Sequence, residues 1–193
     1  KNSGGGGLGA LGPHAFDMIH WLIGPTHSLS AMNSTSIKER VCPLSKTTKP
    51  VTSEDVSISQ LQIKSSHNNL IPVQVNLSAV TTQSRGFSLE IYGKNGTLML
   101  SSENQKDYVH GFGLWFSSQG DVLKSIQPDS DISFSKIWTD GRIAPVARIQ
   151  SWWIQSIKNG TPVIPGLLEG LSSQKVCDKV KESNNSGMKL VID

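Results

Sequence analysis

The segment Ile71-Pro72-Val73-Gln74-Val75-Asn76-Leu77-Ser78-Ala79 carries an apolar side chain at every odd position, with proline or a polar residue between. Successive side chains of a strand point to opposite faces, so this run is a strand with one buried face. His67-Asn68-Asn69 before it reads as a hairpin turn. Val56, Ile58, Leu61 and Ile63 on the other side of that turn form the partner strand. Their apolar phase slips at Ser59-Gln60, which predicts a β-bulge. Downstream, Phe87, Leu89 and Ile91 alternate again, and Tyr92-Gly93-Lys94-Asn95-Gly96-Thr97 turns tightly into Leu98-Met99-Leu100. Such neighbours make an antiparallel meander with one apolar face per strand. Upstream, Thr26 to Arg40 reads as a strand with Leu29, Ala31 and Ile37 inward. Val41 to Ser53, with Pro43 and Pro50, reads as an exposed loop.

Helices flank the strands. Gly4 to Gly12 reads as a loop, and Pro13 suits a first helical position because its missing N–H costs nothing there. Phe16, Ile19, Leu22 and Ile23 then recur at helical spacing until Gly24-Pro25, which predicts a helix over 13–23. Val146, Ile149, Trp153 and Ile157 form an apolar stripe over Ile143 to Lys158, ended by Asn159-Gly160. Leu168, Leu171, Val176 and Val180 define another helix, from Leu167 to Ser183, facing inward. Gly111 to Phe116, Val122 to Ile126 and Met188 to Ile192 are short strands, and Asp129 to Arg142 is loop. The implied fold is α+β: a largely antiparallel (mixed) sheet with helices packed on one face.

Composition narrows the function. The chain has 193 residues, 36% hydrophobic and 17% charged, with a formal net charge of +3. That fits a single globular domain spanning 1–193. Its basic residues are scattered, so nucleic acid is not an expected partner. No apolar run reaches the roughly 20 residues of a membrane span, and the first residues lack the pattern of a secretion signal. The expected location is cytoplasmic, and Asn33-Ser34-Thr35 and Asn95-Gly96-Thr97 then read as chance sequons. Cys42 and Cys177 stand alone, without metal-ligand or disulfide spacing, and read as reduced thiols. The glycine run opens the chain with no element before it, which implies sequence upstream.

Gly7-Leu8-Gly9-Ala10-Leu11-Gly12 fits G-x-G-x-x-G literally. A dinucleotide fingerprint also needs a strand before it and an acidic residue about 20 positions on. Neither is present, since residues 26–36 hold no Asp or Glu. The glycines read instead as a close approach to something bulky, such as a sugar or the cofactor edge of a neighbouring domain. His20 and His27 read as surface or interface histidines. Of Trp152-Trp153, one should face the core and the other solvent or an interface. Arg142 and Arg148 read as solvated, and Ser172-Ser173 has no paired histidine in the sequence.

Gly4-Gly5-Gly6-Gly7-Leu8-Gly9-Ala10-Leu11-Gly12-Pro13-His14-Ala15-Phe16-Asp17, followed by Trp21-Leu22-Ile23-Gly24, resembles the start of the C-terminal domain in the glucose–fructose oxidoreductase, inositol dehydrogenase and rhizopine catabolism (Gfo/Idh/MocA) family. Ile91 to Leu98 and Glu169 to Met188 resemble two further stretches of that domain, so the likeness spans nearly the whole chain. The resemblance implies a missing N-terminal Rossmann domain that binds NAD or NADP, with no cofactor bound by this chain. It implies His14 as the catalytic acid/base, and Asp17 as a contact to a substrate hydroxyl or an orienter of His14. Gly7 and Ala10 would lie beside the substrate. The family usually has aspartate where Ala10 stands. The implied substrate is a sugar, cyclitol or related polyol, and the implied partner is a second copy of the chain through the open sheet face.

Chemistry supports His14 independently. Oxidising an alcohol by hydride transfer requires loss of the hydroxyl proton, and imidazole suits that task near neutral pH. A place in the first helical turn would keep the ring neutral. The alternative is that His14 and Asp17 merely stabilise that turn. Three functions follow: half of an NAD(P)-dependent dehydrogenase, inactive by itself; a non-catalytic sugar or cofactor sensor, favoured by Ala10; or an oligomerisation module.

Overall fold

The computed structural model describes residues 6–84, 86–102, 111–127 and 133–192. The first residues of the expected glycine loop (1–5) and the 129–132 part of the expected loop at 129–142 lie outside the described residues. The chain forms two compact units, Lys1–Thr81 with Ile164–Asp193, and Thr82–Val163.

In chain order the first unit holds α1 (Gly7–Leu22), β1 (Thr26–Ser34), β2 (Glu39–Val41), β3 (Thr48–Pro50), β4 (Val56–Lys64) and β5 (Leu70–Ser78), and closes with α3 (Leu167–Ser186) and β10 (Leu190–Val191). Its main sheet has the order β10-β1-β4-β5, antiparallel throughout. α1 and α3 pack on each other and on this sheet. The core joins Leu8, Phe16 and Ile19 of α1 to Leu29, Leu61, Ile63 and Val75 of the sheet and to Val176, Cys177 and Val180 of α3. Fully burying one such large apolar side chain stabilises by about 1.5–3 kcal/mol.

The expected bulge at Ser59-Gln60 is absent. β4 pairs with β5 in unbroken register from Val56 to Lys64, and the β1–β4 shift falls between Thr26 and Ser28 instead. Ser57 and Ser59 are buried beside Leu61 and Ile63 on one face, while Val56 and Ile58 lie on the other. The apolar residues change face; the backbone does not slip. The expected loop at 41–53 contains most of a small β2–β3 hairpin, and Ile37 is exposed rather than inward.

Beyond its short pairing with β10, the β1 edge is covered by α3. Ser183 Oγ accepts the Ala31 N–H at 3.0 Å and donates to the Met188 carbonyl at 2.6 Å. Asn184 Oδ1 accepts the Asn33 N–H at 2.7 Å. An edge occupied in this way cannot recruit another strand there. Along α3, Ser173, Val176, Cys177, Val180 and Ser183 are buried, whereas Leu168 and Leu171 are exposed. At 100° per residue, Leu171 lies about 140° around the helix from Val176.

The second unit holds β6 (Ser88–Gly93), β7 (Gly96–Ser102), β8 (Phe112–Ser118), β9 (Lys124–Ile126) and α2 (Ile143–Asn159). Its sheet is an antiparallel meander in chain order. Register puts Leu89, Leu100 and Leu114, and likewise Ile91, Leu98 and Phe116, side by side on one face. α2 ends at Gly160 in the left-handed conformation, φ 64°. Its expected inward stripe is exposed, and Trp152 and Trp153 are each about half accessible, at 49% and 54%. The expectation that one of them faces the core therefore fails.

Candidate functional site

Residues 7–12 of the glycine segment are helix, not loop. α1 begins at Gly7 and holds Pro13 inside it. Helical glycine costs about 1 kcal/mol relative to alanine, so tertiary contacts must sustain this start. Leu8 is fully buried. A Cβ on Gly12 would sit 2.9 Å from Leu8 Cδ1 and 3.1 Å from Cys177 Sγ, so the missing side chain lets α1 approach α3 closely. At the helix start, Glu54 accepts the Gly6 N–H through Oε1 at 3.0 Å and the Gly7 N–H through its carbonyl at 2.8 Å. A Cβ on Gly6 would collide with that carbonyl. An acidic group at a helix N-terminus is favourable, and here it comes from the segment just before β4. Next to it, buried Asp55 accepts the Ser36 and Ile37 N–H groups at 2.7 and 2.9 Å. Those bonds hold its carboxyl below the ordinary range.

Because the helix starts at Gly7, His14 is its eighth residue and not part of the first turn. The field of a helix terminus falls off within one turn, so the expected N-terminal field does not reach His14. The structure does gather the predicted residues. Gly7, Ala10, His14 and Asp17 follow one another at spacings of three, four and three, which is one face of a helix. Ala10 and His14 are exposed, and Gly7 and Asp17 half-buried. Leu11 and Trp21 share this face, at 44% and 81% exposure. The opposite face carries Leu8, Gly12, Phe16 and Ile19 into the core. Among the described residues no hydrogen bond or ion pair engages His14.

His20 is the group that sequence reasoning missed. Instead of a surface ring, it is a half-buried junction of α1, β1 and α3. Nε2 lies 2.8 Å from Thr26 Oγ1 and accepts the Thr26 N–H at 3.3 Å, while Nδ1 lies 3.2 Å from Ser172 Oγ. A backbone N–H can only donate, so Nε2 is the bare nitrogen and Nδ1 carries the proton toward Ser172. Ser172 therefore has a paired histidine after all, contrary to the sequence reading, but one that donates to it and cannot act as its base. Burial lowers the His20 pKa from its ordinary 6.5, opposed by the Asp17 charge. No spacing rule marks such a contact, because Ser172 is 152 residues away.

Elsewhere, Cys177 is buried and its thiol pushed up to about 11 by desolvation. Among the described residues no group of three His, Cys, Asp or Glu side chains is placed to hold a metal, and no helix is long and apolar enough to cross a membrane. A shallow cleft of about 370 Å³ on the second unit, lined in part by Glu90, Tyr92 and Asp121, includes none of the predicted site residues. The G-x-G-x-x-G glycines do not fit a dinucleotide pyrophosphate. They lie within α1, and the N–H groups of Gly6 and Gly7 are already held by Glu54.

Residues 1–192 match the model of the oxidoreductase family C-terminal alpha/beta domain. An uncharacterized oxidoreductase of Synechocystis sp. (strain ATCC 27184 / PCC 6803 / Kazusa) is 41% identical over 185 residues, which is 95% of this chain and 49% of that protein. Levoglucosan dehydrogenase, solved in complex with NADH and L-sorbose, superposes with a TM-score of 0.76 at 19% identity, covering 98% of this chain and 50% of that one. An NAD binding oxidoreductase from Klebsiella pneumoniae does so with a TM-score of 0.76 at 18% identity, covering 98% and 51%. This chain thus spans about half the length of the relatives it matches. The two solved structures share its fold, while the family match and the 41% identity define its descent: the chain belongs to the Gfo/Idh/MocA oxidoreductase family and corresponds to that family's C-terminal α/β domain.

Proposed function

We propose that this domain is the substrate-binding half of an NAD(P)-dependent oxidoreductase that oxidises or reduces a sugar, cyclitol or related polyol. The observation that carries the proposal is the outward face of α1. It presents His14, Asp17, Leu11 and Trp21 at a surface this unit does not bury, while the helix is anchored from its other side. An exposed imidazole on a rigid, core-packed helix suits proton exchange with a substrate hydroxyl. His14 would take that proton during alcohol oxidation, and Asp17, one turn on, would hold a second hydroxyl or steady His14. Gly7 and Ala10, small residues of the same face, leave room for the substrate. NAD or NADP would supply the hydride acceptor and would be held by a Rossmann domain outside this chain, consistent with the engaged N-terminus of α1. Levoglucosan dehydrogenase, crystallised with NADH and L-sorbose, supports a carbohydrate-like substrate. A cytoplasmic location and self-association through the open sheet face complete the proposal.

Ala10 favours a second reading, a sensor of sugar or cofactor that keeps the fold without turnover. The test is a His14→Ala variant of the full-length protein, assayed with NAD and NADP across sugars and cyclitols. The expected result is a fall in kcat of roughly 10²–10⁴-fold with cofactor binding retained. Unchanged turnover removes His14 from the chemistry. Ligand binding without any turnover in the unmodified protein favours the sensor. Calorimetry on the isolated domain should detect no NADH binding.

A further inference from the structure

At the end of α1, beside the buried Ile19, one side chain makes bonds that depend on its protonation state. His20 lies in the last turn of the helix. Through Nε2 it holds Thr26, the first residue of β1, and through Nδ1 it meets Ser172 of α3. Thr26 is buried and adjoins the register shift between Thr26 and Ser28. We infer that His20 is a proton-sensitive clamp: uncharged, it accepts the Thr26 N–H while tying α1 to β1 and α3, and a proton added at Nε2 breaks that backbone bond, so the hold of α1 on the start of β1 weakens in mild acid.

Geometry gives the mechanism. The bare Nε2 is the acceptor for the Thr26 N–H. A proton arriving there from solvent turns the nitrogen into a donor. Thr26 Oγ1 can still accept from it, but the Thr26 N–H then faces another donor and loses its partner in a buried place. The charged and titratable side chains on the elements that meet here are His14 and Asp17 on α1, His27 on β1, Lys64 on the neighbouring β4, and Glu169, Lys175, Cys177, Asp178, Lys179, Lys181 and Glu182 on α3. Asp17 is the one whose charge acts on the ring, and it favours the imidazolium. The negative end of the α1 dipole acts in the same sense. Burial acts against both and prevails, so the folded protein binds this proton less readily than the unfolded chain does. The contribution of His20 to stability is therefore complete above about pH 6.5 and is lost as pH falls through the lower folded value. The inference stands on this junction alone and does not depend on the dehydrogenase proposal.

The test is NMR of the ¹⁵N-labelled protein. At pH 7.5 the His20 ring should be the Nδ1–H tautomer. On acidification its midpoint should lie below 6.5. Protection of the Thr26 amide against hydrogen exchange, corrected for intrinsic rates, should fall about fivefold with the same midpoint, the effect of one lost hydrogen bond. A His20→Gln variant, uncharged at every pH, should lack that step. An Nε2–H tautomer at neutral pH, a Thr26 amide indifferent to the His20 titration, or a step that survives in His20→Gln would each overturn the inference. If the variant does not fold, the tautomer and the Thr26 titration of the unmodified protein decide by themselves.

Discussion

Replacing Ser183 with alanine removes one oxygen and takes a partner from two part-buried backbone groups. Ser183 is 1% exposed, and its hydroxyl both accepts the Ala31 N–H at 3.0 Å and donates to the Met188 carbonyl at 2.6 Å. An orphaned buried donor or acceptor costs about 1–3 kcal/mol. Met188 is 60% exposed, so water can replace the hydroxyl at its carbonyl, and the net loss should be about 2–3 kcal/mol, mostly from the Ala31 N–H. With a urea slope of about 1–3 kcal/mol per M, the midpoint should drop by about 1–2 M at unchanged slope. The melting temperature should fall by on the order of 10 °C for a unit of this size. Equilibrium urea denaturation followed by far-UV circular dichroism measures it. A loss below about 0.5 kcal/mol would mean that both groups find other partners and that α3 does not seal this edge through Ser183.

Two further expectations test the packing of α1 on α3. Gly12→Val forces branched carbon into a space where even a Cβ would lie 2.9 Å from Leu8 and 3.1 Å from Cys177; overpacking of this kind costs about 1–3 kcal/mol, and an unchanged melting curve would show that the helices are not in close contact. Labelling with a thiol-specific disulfide at pH 8 should modify Cys42 quickly, because bonds from the Ser45 side chain and the Ser45 and Leu44 backbone hold its thiol below the ordinary value. Cys177, buried and pushed up to about 11, should react at least about 100-fold more slowly until denaturant is added; comparable rates by mass spectrometry would contradict its burial.

What the sequence made legible follows how local each determinant is. The strict alternation of Ile71 to Leu77 appears as β5, with Asn68 in the left-handed turn, φ 60°, that His67-Asn68-Asn69 led one to expect. Gly160 closes α2 where Asn159-Gly160 predicted. Reading failed where a distant partner overrode a local preference. Gly7, Gly9 and Gly12 are poor helix formers, yet the segment is helical, with Glu54 holding its leading N–H groups and Gly12 seated against Cys177. Leu168 and Leu171 were expected inside on hydrophobicity, but Ser173, Cys177 and Ser183 hold that stripe because their polar atoms or small size suit it. In β4 the mixture of Ser57, Ser59, Leu61 and Ile63 on one face looked like a slip because buried serines read as exposed. The common face of Gly7, Ala10, His14 and Asp17 was legible from their spacing. Its place along the helix was not, because Pro13 looked like a beginning and lies in the interior.

The attachment of Glu54 to Gly6 and Gly7 bears on the order of assembly. A first turn rich in glycine has little tendency to nucleate itself, and its stabilising acid is 48 residues further along the chain. Closing a loop of that length costs entropy before any bond rewards it. The leading turn of α1 is thus expected to form late in folding, after the strand pairing around Asp55, an order that pulse-labelled amide exchange of Gly7 and Ala10 against Ile58 would reverse if those helix amides were protected first. The end near His20, stapled to Thr26 only six residues away, can settle early.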